Sequence, residues 1–112
     1  MKPLRQLLGS GLALALLAAS GAPARAQVGM TEWRAGPLPM TLVYPTDTPV
    51  RTQSLGAFTV DVALNAPPRE QRHRLVVMSH GTGGSAIADH ALASALARAG
   101  FVVAQPLHEG DN

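Results

Sequence analysis

The chain contains no cysteine, one tryptophan, one tyrosine and two phenylalanines in 112 residues. Without cysteine there is no disulfide, and attachment of a lipid through an N-terminal cysteine is excluded. Whatever folds must be held by its apolar core alone. No internal repeat is present, and no apolar run is long enough to cross a bilayer of roughly 30 Å as a helix. The longest such run, Leu7 to Ala19, follows Lys2 and Arg5 and is closed by Gly21 and Pro23. Ala24-Arg25-Ala26 then supplies small residues on either side of one larger residue. This is the pattern of a cleavable export signal, with the cut expected between Ala26 and Gln27. The chain is therefore expected to be secreted or periplasmic. Arg5-Gln6 is not a twin-arginine signal.

Charge of one sign is also lacking. The formal net charge is +2, but Lys2, Arg5 and Arg25 belong to the leader. Removal of residues 1–26 leaves six basic residues against seven acids, a net charge of −1. That balance gives no electrostatic basis for binding nucleic acid or, after cleavage, an anionic membrane. The 86 remaining residues can bury only a modest core.

Along the rest of the chain, residues 27–39 read as irregular, because Gly36, Pro37 and Pro39 interrupt regular structure. Trp33 within them reads as a packing residue under a loop. Met40 to Tyr44 is a short β-prone run closed by Pro45, and Pro45 to Gln53 has the proline and polar content of a surface loop. Phe58 to Leu64 alternates: Phe58, Val60, Val62 and Leu64 share one side, and Thr59, Asp61 and Ala63 the other. This period of two predicts a half-buried, antiparallel strand near a sheet edge. Asn65 to Arg74 is a polar turn with paired prolines.

Leu75 to Met78 and Phe101 to Ala104 are apolar at every position, as strands covered on both faces are. Between them Ile87, Ala91, Leu92, Ala95, Leu96 and Ala99 recur at helical spacing, while Asp89, His90, Ser94 and Arg98 face elsewhere. Ser85 is the expected N-cap and Gly100 the left-handed residue that ends the helix. His73 and His90 read as surface residues. The whole predicts an α/β domain of antiparallel leading strands followed by one βαβ unit, hence a mixed sheet with a parallel centre. Between the first apolar strand and the helix stands His80-Gly81-Thr82-Gly83-Gly84-Ser85. Bare backbone amides at that place can stabilise a negative charge.

Four chemistries compete for this glycine turn. Gly81-x-Gly83-x-x-Ala86 satisfies a dinucleotide fingerprint in the strand-to-helix position. Gln105 and Pro106 nevertheless stand where an acid should meet the ribose. A P-loop fails, because no Lys-Ser/Thr pair follows the glycines. His108, Glu109 and Asp111 form a polar cluster that His80 could approach, but no H-x-x-x-H or H-E-x-x-H spacing occurs. No metal and no cofactor is expected.

The fourth chemistry is acyl transfer, and here the text resembles a known family. Tyr-Pro-Thr at 44–46, FTVDVALNAPP at 58–68, LVVMSHGTGGS at 75–85 and ALARAGFVVAQPLHEGDN at 95–112 are similar to the α/β-hydrolase superfamily. The likeness is strongest to its dienelactone-hydrolase-like branch, which includes bacterial relatives of platelet-activating-factor acetylhydrolase. It covers nearly all of 40–112, which is read as the N-terminal part of an α/β-hydrolase domain. The resemblance implies a Ser-His-Asp mechanism on a small ester or lactone. The backbone N–H of Thr82 would be half of the oxyanion hole, a donor whose loss costs roughly 3–4 kcal/mol. His80, Gly81, Gly83 and Gly84 would shape that loop, and His108, Glu109 and Asp111 would border the cleft.

The family's nucleophile lies in G-x-S-x-G, and no such motif occurs here. Gly83-Gly84-Ser85-Ala86-Ile87 fails at its last position, and Ser79 reads as structural. The chain is accordingly expected to be a fragment that is inactive by itself. The alternatives are a non-catalytic hydrolase-like fragment or binding module and, behind these, a dinucleotide-binding unit.

Overall fold

The segment expected to be irregular is a strand. In the computed structural model, which describes residues 25–80, 85 and 87–107, the elements in chain order are β1 (Gln27–Ala35), β2 (Leu38–Thr46), β3 (Arg51–Leu55), β4 (Phe58–Leu64), β5 (Leu75–Val77), α1 (His90–Arg98) and β6 (Val102–Pro106). The expected leader lies outside the described residues except for Arg25 and Ala26.

β1 and β2 form an antiparallel hairpin in continuous register from Gln27↔Thr46 to Ala35↔Leu38. The two residues between them are Gly36 and Pro37, and Gly36 has φ 61, a value glycine adopts without steric cost. The glycine and prolines are thus the punctuation of a hairpin. β3 likewise replaces much of the expected loop: it pairs antiparallel with β4 through a turn at Gly56, where φ is 62. Its alternation of polar residues is that of an exposed edge strand, with the Thr52 hydroxyl donating to Asp61 Oδ1 at 2.7 Å.

The six strands make one mixed sheet in the order β3-β4-β1-β2-β6-β5. β4, second from the edge, alternates as expected as far as Val62. It then meets β1 in parallel, pairing Gly29 with Ala63 and Met30 with Leu64. β5, α1 and β6 form the expected βαβ unit, and β5 pairs parallel with β6. This parallel pair lies at one edge of the sheet and not at its centre. β5 therefore has one unpaired side, and Leu75 and Val77 are 64% and 62% exposed. The full cover expected for this strand is absent because Leu75 and Val77 project from the face opposite α1. That face carries no helix among the described residues.

α1 contacts β2, β1 and β6. It lies on the sheet through Ala93, Ser94 and Ala97; of the expected stripe, Ile87 and Leu96 pack against this core, whereas Leu92 is 57% exposed. Ala93 and Ala97, one turn apart, present only β-carbons, and this face lets the helix approach the sheet closely. The helix begins at His90, after Asp89, with no side-chain cap. The expected cap Ser85 instead opens a turn, its carbonyl accepting from Ala88 N. The C-terminus matches expectation. Gly100 has φ 104, its N–H bonds Ala97 O and Phe101 N–H bonds Leu96 O, which is the Schellman arrangement.

The core consists of Val28, Met30, Val43, Val60, Val62, Val103, Ala93 and Ala97, all on the helix side of the sheet. On the other face, Tyr44 lies against Gly29, where any β-carbon would collide with the phenol ring. The Tyr44 hydroxyl donates to Ala66 O and the Thr46 hydroxyl to Pro67 O, both at 2.6 Å. Thr46 Oγ1 also accepts Thr48 N–H at 3.2 Å. The 44–46 and 65–68 motifs are therefore two halves of one clasp.

Candidate functional site

β5 and β6 run parallel, so their carboxyl ends lie side by side, and the segment containing His80 leaves the sheet at that edge. Open α/β sheets bind ligands there. At this edge lies a cavity of about 550 Å³, walled by Ser85 and Ile87 from the stretch between β5 and α1, Leu107 just after β6, Pro39, Met40 and Thr41 of β2, and Glu32, Trp33 and Arg34 of β1. A second cavity, of about 520 Å³, shares Glu32, Thr41 and Ile87 with it. The two form one groove past Ile87.

The pleat explains which groups reach the groove. On the helix face, Met30 pairs with Val43 and Val43 with Val103, an apolar row across β1, β2 and β6. One pleat further, Glu32 pairs with Thr41 and Thr41 with Gln105. Alternation puts this second row on the same face as the first. Beyond it, Arg34 pairs with Pro39, whose carbonyl accepts Leu107 N–H at 3.0 Å. The site therefore has a polar row set between the apolar core and a rim carrying Arg34 and Trp33.

Gln105 is 3% exposed, and its Oε1 has no hydrogen-bond partner among the described residues. Trp33, expected under a loop, is 54% exposed and walls the cavity instead. The sequence signal for Trp33 was the alternation of β1, masked by the nearby glycine and prolines.

The structure places His80 half-buried just past β5. Thr82, Gly81, Gly83 and Gly84 lie outside the described residues, as do His108, Glu109 and Asp111. Ser85 lines the cavity. The two histidines expected on the surface are both half-buried. His90 meets Phe58 edge to face, with centroids 5.6 Å apart. His73 Nδ1 lies 3.1 Å from Gly100 O and its Nε2 3.0 Å from Arg69 O, so the ring bridges the 65–74 turn to the end of the helix. Among the described residues no three His, Asp or Glu side chains gather as a metal-binding group, and no helix is long and apolar enough to cross a membrane. The strand end that a dinucleotide site would furnish with an acid holds the neutral, buried Gln105.

Comparison with known families decides the broader assignment. The family model of platelet-activating factor acetylhydrolase, isoform II, matches residues 44–112. The chain belongs to this family. No curated protein and no solved structure matches it. Membership in the acetylhydrolase family assigns the chain to lipase- and esterase-type hydrolases, whose substrates are small-molecule esters. The match begins at Tyr44, the first residue of the clasp. It runs through the clasp, the βαβ unit and the cavity edge, and leaves the β1–β2 hairpin tip outside.

Proposed function

We propose that the chain carries the oxyanion side of an ester-hydrolase site on the N-terminal part of an α/β-hydrolase fold, with a dienelactone-hydrolase-like preference for small esters or lactones. The observation that supports this reading is the cavity past the carboxyl end of β6, walled by Leu107 and by Ser85 and Ile87 from the stretch between β5 and α1. Attack on an ester carbonyl places negative charge on its oxygen, and a backbone N–H held at that oxygen is worth most where water is excluded. The N–H of Thr82 is the proposed donor, and glycines on either side of it leave room for the substrate to approach the backbone.

The 112 residues hold no G-x-S-x-G, so the chain by itself is proposed to be inactive. Assay of the 112-residue form with p-nitrophenyl acetate tests this, and turnover above buffer background overturns it. Export is proposed from the leader, with Gln27 as the first mature residue. Mass spectrometry of the protein recovered from an exporting host tests the cut, and an intact Met1 terminus in the exported fraction rejects it.

A further inference from the structure

The two edges of the sheet differ in character. β3 presents Arg51, Thr52, Gln53 and Ser54, the polar cover that keeps an exposed edge from pairing with another chain. β5, at the other edge, is Leu75-Val76-Val77, with no polar or charged residue. Its peptide groups are divided by side. Arg74 O accepts Val102 N–H and Met78 N–H bonds Ala104 O, both at 2.9 Å, so residues 74, 76 and 78 turn their peptide groups toward β6. Leu75 and Val77 turn theirs outward, two N–H and two C=O groups with no partner among the described residues. Their side chains, more than half exposed, stand on the face opposite α1.

We propose that this edge joins two copies of the chain, β5 to β5, as antiparallel strands about a twofold axis at Val76. A twofold contact needs a surface that matches itself, and this one does. With Val76 opposite Val76, Leu75 of each copy faces Val77 of the other, and all the outward groups of both copies are met in four hydrogen bonds. The exposed Leu75 and Val77 side chains of both copies then meet on one face and leave water together. Charge sets the direction of pairing. Parallel strands would place Arg74 beside Arg74. The antiparallel register places Arg74 opposite Met78 and separates the two arginines by four residues, about 13 Å along the strand, beyond the reach of unscreened repulsion at physiological salt. With three residues a side the contact is small, so the dimer dissociates on dilution. It is independent of the ester-hydrolase reading above.

The test follows the 112-residue chain by sedimentation and by NMR hydrogen exchange from about 10 μM to about 1 mM, the range in which small interfaces associate. The mass is expected to rise toward twice that of the monomer, and the Leu75 and Val77 amides to gain protection in step with it. Val77→Pro deletes one outward donor per copy and spares the β5–β6 ladder, which that N–H does not enter. It is expected to weaken dimerisation about thirtyfold, the worth of two net hydrogen bonds per dimer. Leu75→Lys, which places a charge on the edge, serves the same purpose should the proline variant lose its dispersed spectrum. A monomer throughout the range overturns the proposal. So does association of undiminished strength in a folded variant, which would place the contact elsewhere, the apolar leader included. Protection of both amides at monomer mass also overturns it, since another segment of the same chain would then hold the edge.

Discussion

Two rows of side chains cross β1, β2 and β6 on the same face, one pleat apart, with opposite chemistry. Met30, Val43 and Val103 form a sealed apolar row within the helix-side core. Glu32, Thr41 and Gln105 form the next row, past the start of α1; Glu32 and Thr41 wall a cavity there, with Ser85 and Ile87 opposite them among the described residues. Backbone register is identical in the two rows, so the difference comes from what covers them. The helix begins at His90, after a turn, and not at Ser85. That shift puts a turn, and not a helix, opposite the polar row.

The largest effect that would break the contrast is a deletion in the sealed row. Val43 is fully buried and central to the three-strand contact. Val43→Ala is expected to cost about 2–3 kcal/mol, from two lost methyl groups and the cavity they leave. Its neighbour in the polar row behaves differently: Thr41→Val is expected to change stability by less than about 0.5 kcal/mol, as at other positions outside a packed core. Urea unfolding of the two variants measures both. Equal losses would show that the polar row is core and not site.

A second contrast concerns buried polar groups. Thr46 is fully buried, yet its hydroxyl donates to Pro67 O and accepts from Thr48 N–H. Thr46→Val strands both backbone partners and is expected to cost about 1–2 kcal/mol. Gln105 is buried just as deeply with its oxygen unpaired. Gln105→Met is expected to raise the stability of the free chain by about 1 kcal/mol, since an unmet polar group leaves the interior. A loss of stability in that variant would mean that the amide is a structural element. Opposite signs at Thr46 and Gln105, read from paired urea curves, would separate a satisfied buried polar group from an unsatisfied one.

Much of the fold was legible in the residues. The alternation of Phe58 to Val62, the βαβ order of 75–106 and the glycine that closes the helix all follow from local chemistry, and each was expected at its observed place. The errors share a physical cause. Gly36, Pro37 and Pro39 read as breakers because a one-dimensional text does not distinguish a two-residue hairpin turn from a loop. The apolar Leu75-Val76-Val77 read as doubly covered because edge position is a property of the sheet and not of the strand. The helix stripe holds for Ile87 and Leu96 and fails at Leu92, because hydrophobicity favours Leu92 whereas close approach to a sheet favours Ala93 and Ala97. The site was legible as a place, the carboxyl edge of the parallel pair. Trp33 was not, since the hairpin that brings it there runs through the glycine and prolines that read as breakers.

The smallest expected effect lies on the opposite face and carries a pH signature. Burial raises the Tyr44 phenol pKa above its ordinary value of 10.0. The folded chain therefore holds this proton more tightly than the unfolded chain does. Below about pH 10 both states are protonated and the group adds no pH dependence. As pH rises further, the unfolded state loses its proton first, and the stability tied to the neutral phenol is lost as pH passes through the folded value. Tyr44→Phe removes the 2.6 Å bond to Ala66 O and is expected to cost about 0.5–1 kcal/mol at neutral pH. The gap between the two proteins should then narrow above about pH 10, because the phenylalanine variant has no proton to lose. Urea unfolding at about pH 8 and about pH 11 reads the two differences. Parallel losses in both proteins would mean that the clasp holds the turn by shape, with the hydroxyl of Tyr44 contributing nothing that ionisation can remove.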